Sequence, residues 1–137
     1  MSKLGLDKVM KKFEQMREVL PKVLADDTLK FFISAFNKEG FTENGFKPWA
    51  PRKGKQTGRN ATRKILIDSG KLKRSVSNSI KIETFDLIKF SVEVPYAEFV
   101  NNGTGKMVAR KFMGTSPELK KRNEKLIKNV IDDIWGV

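Results

Sequence analysis

The run from Val76 to Val94, VSNSIKIETFDLIKFSVEV, decides the fold. Val76, Asn78, Ile80 and Ile82 alternate with Ser77, Ser79, Lys81 and Glu83; Ile88, Phe90, Val92 and Val94 alternate with Lys89, Ser91 and Glu93. A side-chain period of two on both sides of Phe85-Asp86 predicts an antiparallel hairpin with one packed face and one wet face. Upstream, a short helical turn capped by Asp68 or Ser69 leads into the hairpin. Downstream, Pro95 ends the second strand, Tyr96 to Asn101 suits a brief helix, and Asn102-Gly103-Thr104-Gly105 reads as a turn. Met107 to Met113 is a candidate for one further strand.

On either side of this centre the period changes to that of a helix. Leu6, Val9, Met10, Phe13, Met16 and Leu20 recur every three or four residues with charged residues between them, the pattern of an amphipathic helix. Pro21 interrupts the stripe, and Leu24, Thr28, Phe31, Phe32 and Ala35 resume it, which places Pro21 in the first turn of a second helix or at a kink. Gly40 is expected to close that helix. Near the other end, Ser116-Pro117-Glu118 combines a cap, a first-turn proline and a first-turn acid, and Leu119, Leu126, Ile127, Val130, Ile131 and Ile134 give the stripe of a terminal helix.

The fold class expected is therefore α+β: a small antiparallel sheet, the hairpin plus one or two further strands, packed against N-terminal and C-terminal helices. Phe13, Phe31, Phe32, Ile80, Ile82, Phe90, Val92, Ile127 and Ile131 are expected to share one core. At 137 residues the chain suits a single domain. It divides into N-terminal helices (1–40), a basic Gly/Pro-rich loop (41–64), the hairpin region (65–114) and the C-terminal helix (115–137).

Charge is the second strong signal. The formal net charge is +12, and the segment from Gly45 to Ser75 contributes +9 of it, with ten Lys or Arg against the single acid Asp68. Such a field favours acidic partners, either nucleic acid or an acidic protein surface; a merely solubilising loop is the plainer reading. In the loop, Lys47-Pro48-Trp49-Ala50-Pro51-Arg52 is stiffened by two prolines, so Trp49 is expected to be an anchor tucked against the domain. Gly54 to Thr62 offers little to bury, and is expected to be disordered in the free protein and ordered in an assembly. The candidate partner-binding residues are Trp49, Arg52, Lys53, Lys55, Arg59, Arg63 and Lys64.

The inventory excludes much chemistry. The chain has no Cys and no His, so Cys/His zinc sites, thiol nucleophiles, disulfide frameworks and Ser-His-Asp triads are ruled out. No apolar run approaches a membrane span and the N-terminus lacks a signal-peptide core, so a cytoplasmic location and no membrane partner are expected. Asp26-Asp27 and Asp132-Asp133 are the adjacent carboxylate pairs. Neighbours on a helix point about 100° apart, and each pair sits at the polar edge of an apolar stripe, which favours solvated acids over a metal site. Gly103-x-Gly105 lacks the flanking strand, third glycine and following helix of a phosphate loop. No catalytic, cofactor or metal residue is assigned, and an enzyme is the weakest reading.

Three short elements in order carry a resemblance. They are Ile65, Leu66, Ser69, Gly70, Leu72 and Ser75; then Tyr96, Ala97, Phe99, Asn101 and Gly103; then Ala109, Arg110, Phe112, Met113 and Gly114. Together they resemble the phage virion morphogenesis family of tail-completion and tail-terminator proteins, over roughly Phe46 to Ile134. Val100 stands where many relatives carry histidine, and Val108 and Lys111 replace the prolines around the Ala-Arg pair. The resemblance implies a structural protein that caps the tail tube and helps form the head-tail joint, with Gly70, Leu72, Tyr96, Ala97, Gly103, Arg110, Phe112 and Gly114 at the motif positions. It also implies a ring, expected to have six subunits, with tail-tube and head-connector proteins as partners and non-specific DNA contact open, in the host cytoplasm during assembly and then in the virion. For Arg110, an intramolecular carboxylate or carbonyl and an intersubunit group are equally open as partners. The alternative is a basic nucleic-acid-binding protein without sequence specificity, using Trp49 as a stacking ring beside the cations.

Overall fold

The computed structural model describes residues 3–52, 65–66 and 70–136. In chain order the elements are α1 (Lys3–Lys38), β1 (Gly40–Thr42), β2 (Phe46–Pro48), α2 (Lys71–Ser77), β3 (Ile80–Glu83), β4 (Ile88–Phe90), α3 (Ala97–Asn102) and α4 (Pro117–Trp135). The architecture is α+β. The strands form two separate antiparallel hairpins, β1 with β2 and β3 with β4. Among the described residues, no helix is long and apolar enough to cross a membrane.

The sequence offers Met107 to Met113 for one further strand, but that segment is irregular, and the strands beyond the central hairpin are elsewhere. They lie instead at the start of the stretch read as loop, where Gly40 pairs with Pro48, Phe41 with Lys47 and Thr42 with Phe46. Phe41 is buried on this hairpin and Phe46 is exposed; three-residue strands are too short to show a period of two in sequence.

The first helix runs unbroken through Pro21, which lies buried inside it. An interior proline removes one helical hydrogen bond and costs about 3 kcal/mol in isolation. Burial of Leu20, Ala25 and Thr28 on the same helix and its packing along α4 offset that cost. The two helices are antiparallel: Asp27 and Thr28 meet Arg122 and Asn123, and Phe13 meets Trp135 edge-on at 5.1 Å. Nor does Gly40 close the helix. Glu39 takes the left-handed conformation after Lys38 (φ 56°), and Gly40 already belongs to β1. Glycine is needed there for space, because a Cβ would lie 2.6 Å from the Lys47 carbonyl oxygen across the hairpin.

The core gathers around the C-terminal half of α1. Phe31, Phe32, Ala35 and Phe36 pack with Phe41, Trp49, Leu72, Val76, Val94, Ala97, Phe112 and Leu119. Phe36 is fully buried, with its ring against Trp49 (5.7 Å) and Phe112 (5.3 Å). Of the expected core, Phe31 and Phe32 are buried, whereas Phe90 and Val92 are half-buried against the cluster. Ile80, Ile82 and Ile127 are also only half-buried, and Phe13 and Ile131 are exposed. A two-stranded hairpin covers little area, and the N-terminal half of α1 extends past it.

The alternation at Val76 and Asn78 does not belong to a strand. Residues 71–77 are helical, Leu72 and Val76 are buried one turn apart, and Asn78 is the C-cap. Ser79, expected on the wet face, is fully buried; its hydroxyl donates to the Val76 carbonyl (2.6 Å). The expected cap at Asp68 or Ser69 lies outside the described residues, and Gly70 occupies the N-cap position of α2. Ser116 caps α4 as read, its hydroxyl accepting from Leu119 N–H at 3.2 Å.

Candidate functional site

The third sequence element is held from both sides by the other parts of the chain. Trp49 is buried, and its indole N–H donates to the Lys111 carbonyl at 2.8 Å. Arg110, next to Lys111, reaches the other way: Nε donates to the Ala50 carbonyl (2.9 Å) and Nη2 to the Pro51 carbonyl (3.1 Å). Proline has no N–H and stiffens this stretch, so its carbonyls are fixed acceptors. Of the partners left open for Arg110, the structure thus supplies intramolecular carbonyls. Its backbone N–H donates to the Val100 carbonyl (2.8 Å).

Asn101 clasps the same segment from α3. Its Oδ1 accepts from both the Phe112 N–H (2.9 Å) and the Met113 N–H (3.1 Å), two main-chain donors in an irregular stretch with no ladder to satisfy them. Phe112 is thereby set into the core. Gly103 makes the return possible: it has φ 77°, and a Cβ there would lie 2.8 Å from the Ala109 nitrogen. Gly103-x-Gly105 forms no phosphate cradle; Thr104 closes it as a turn, its N–H donating to the Met107 carbonyl (2.8 Å) and its hydroxyl accepting from Lys106 and Met107.

This bracing brings the three elements to one cleft of about 440 Å³. Ile65, Leu66, Gly70 and Leu72 come from the first, Tyr96 and Val100 from the second, and Arg110 from the third, with Arg52 and Lys71 completing the lining. No Asp or Glu is among the described residues that line it. Val100 gives this wall an aliphatic side chain. A shallower hollow of about 410 Å³ adjoins it, sharing Arg52 and Arg110 and bordered by Lys106 and the exposed Met107 and Val108. Ala97 is buried in the core, and Gly114 lies against the Lys111 side chain away from the cleft. Lys111, standing for a proline of the resemblance, has a role of its own: Nζ pairs with Glu43 at 3.2 Å and lies 5.1 Å from the Phe41 ring centre.

Of the partner-binding candidates, Arg52 lines the cleft and Trp49 is the expected anchor, whereas Lys53, Lys55, Arg59, Arg63 and Lys64 lie outside the described residues, as does the 54–62 loop. Of the first acid pair, Asp26 pairs with Lys30 one turn on (3.0 Å) and Asp27 takes a two-point contact from Arg122 (2.6 and 3.0 Å); no group of three metal-ligating side chains occurs among the described residues. Lys71 and Val100 were not foreseen as part of a site, nor Asn101 as a clasp. The signal available for Asn101 was its place in the second element. Compared with models of known protein families, with curated proteins and with solved structures, the chain matches none.

Proposed function

We propose that this protein is a structural assembly factor of a tailed phage or prophage, a tail-completion protein that caps the tail tube and helps form the head-tail joint as a ring. The observation that carries this reading is the convergence of the three sequence elements. Separated by up to about fifty residues of chain, they meet at one cleft through contacts that each depend on the motif residue itself: Asn101 on the third element, Arg110 on the Pro51 stretch, Gly103 at the turn. That the three elements fold into one braced unit supports reading them together. The nucleic-acid reading keeps the charge but loses its stacking ring, since Trp49 is buried with its N–H committed.

Deleting the gene from an inducible lysogen that carries it tests the proposal. Negative-stain microscopy of the lysate is expected to show full heads separate from tails, or tubes of uncontrolled length, with joining restored by the gene in trans. Infectious particles at normal yield and with normal tails overturn it.

A further inference from the structure

The first helix outruns the elements packed against it. Helix α4 ends at Trp135, whose ring meets Phe13 of α1, and the turn of the β3-β4 hairpin reaches Arg17, whose guanidinium lies 5.5 Å from the Phe85 ring centre. Leu6, Met10, Phe13 and Arg17 follow one another at intervals of four, three and four residues, which at about 100° per residue sets them within about 60° of arc. The same seam is buried further along the helix, at Leu20, Thr28 and Phe31. Nearer the start it is open: Leu6 is 53 % and Met10 52 % exposed, and Phe13, Phe85, Leu87 and Ile131 are exposed as well. These six side chains present on the order of 500 Å² of apolar surface, as much as the largest patch on a typical monomer.

We infer that this seam pairs with the same seam of a second copy of the chain, the two α1 helices running end for end about a two-fold axis. With the contact centred between Leu6 and Arg17, Met10 of each copy lies on Phe13 of the other, a thioether against a ring, and Asp7 of each lies beside Arg17 of the other. The two ends of the seam thus meet opposite charge. Charge also selects this face for contact between copies. From Lys3 to Glu18 five cations stand with three acids, whereas Gly45 to Ser75 carries +9 of the net +12, so two copies approach here against the least repulsion. Residues 53–64, KGKQTGRNATRK, offer no cover from within the chain, since they include no aromatic ring and no aliphatic residue larger than alanine. Two such faces bury about 1,000 Å², the low end of specific interfaces, where association is weak and reversible.

Sedimentation equilibrium of the full chain is expected to show the 15.6 kDa monomer at about 1 µM and its dimer by about 1 mM. Leu6→Glu and Met10→Glu change exposed side chains, so at about 1 µM both keep the native melting curve, while each weakens the dimer at least about tenfold by setting a carboxylate against an apolar face. Orientation is read by cross-linking, since the chain has no Cys of its own. Under mild oxidation Asp7→Cys is expected to form a disulfide with Arg17→Cys in a mixture of the two, and neither with itself, because like positions of an end-for-end pair lie more than about 12 Å apart along the axis. A monomer throughout the concentration range, self-association untouched by Met10→Glu, or faster cross-linking of Asp7→Cys with itself each overturns the inference. The first of these outcomes leaves the seam to a different protein, and the last to helices running side by side in one direction.

Discussion

Gly103 shows how much of this protein's organisation depends on single backbone positions. It must take a left-handed φ of 77° and also let the chain returning at Ala109 pass within 2.8 Å of where a Cβ would be. Any side chain meets both obstacles at once, and the obstructing atoms belong to main chain, which cannot swing aside. Gly103→Ala is therefore expected to lower stability by about 1–3 kcal/mol. In ¹⁵N spectra the largest changes should fall at Val100, Arg110 and Phe112, the residues that the turn brings together. A urea midpoint within error of the wild type would mean that the 103–109 return is not held as described. Asn101 is the complementary case: its acceptor role is invisible to polarity scales, because one oxygen replaces a short ladder for two main-chain donors.

At the scale of elements, the β1-β2 hairpin is tied to α4 by one carboxylate. Glu118, in the first turn of the helix, accepts from Gly45 N–H through Oε2 and from Asn44 N–H through Oε1 (2.9 Å). The Gly45 N–H, joined by that of Asn44 and the nearby Lys121, holds the Glu118 carboxyl below the ordinary glutamate range, against the opposing effect of desolvation. A carboxyl whose folded pKa is depressed stabilises the fold fully above its unfolded pKa and loses that contribution as pH falls through the folded one. Glu118→Gln should thus be less stable than wild type at neutral pH, and the gap between their urea midpoints should narrow as the pH is lowered through the acidic carboxylate range. A gap that is constant down to strongly acidic pH would show that the tie does not depend on the charge. Glu118 also sits where the helix N-terminus favours an anion, so the same residue that starts α4 fixes the hairpin beside it.

Across the whole molecule, the net charge of +12 sets the electrostatic balance. Against it stand a few partly exposed pairs, Asp27 with Arg122 and Glu43 with Lys111 among them, each worth no more than about 1 kcal/mol at such exposure. Self-repulsion acts over the whole surface and is screened once the Debye length shrinks from about 30 Å at 0.01 M salt to about 8 Å at 0.15 M. Adding sodium chloride over that range is expected to raise the melting temperature in calorimetry. A fall would mean that the local pairs outweigh the repulsion.

Helix positions, the central hairpin and the Ser116 cap were legible because each depends on neighbours in sequence: a stripe of apolar residues every three or four, a period of two, a hydroxyl three residues before an amide. Trp49 as an anchor was legible for the same reason, a large ring held between prolines. What tertiary structure alone decided were the matters settled by distant partners. Burial along α4 carried α1 through Pro21, where local rules place a break. The approach of β2 gave Gly40 a steric task in place of a cap. The limited reach of two-stranded hairpins left Phe13 and Ile131 exposed although their stripes match those of buried residues. The cleft belongs with these. The sequence by itself determined its ingredients and their order, but the carbonyls of Ala50 and Pro51 that orient Arg110 lie about sixty residues away, and no local period encodes a contact of that separation.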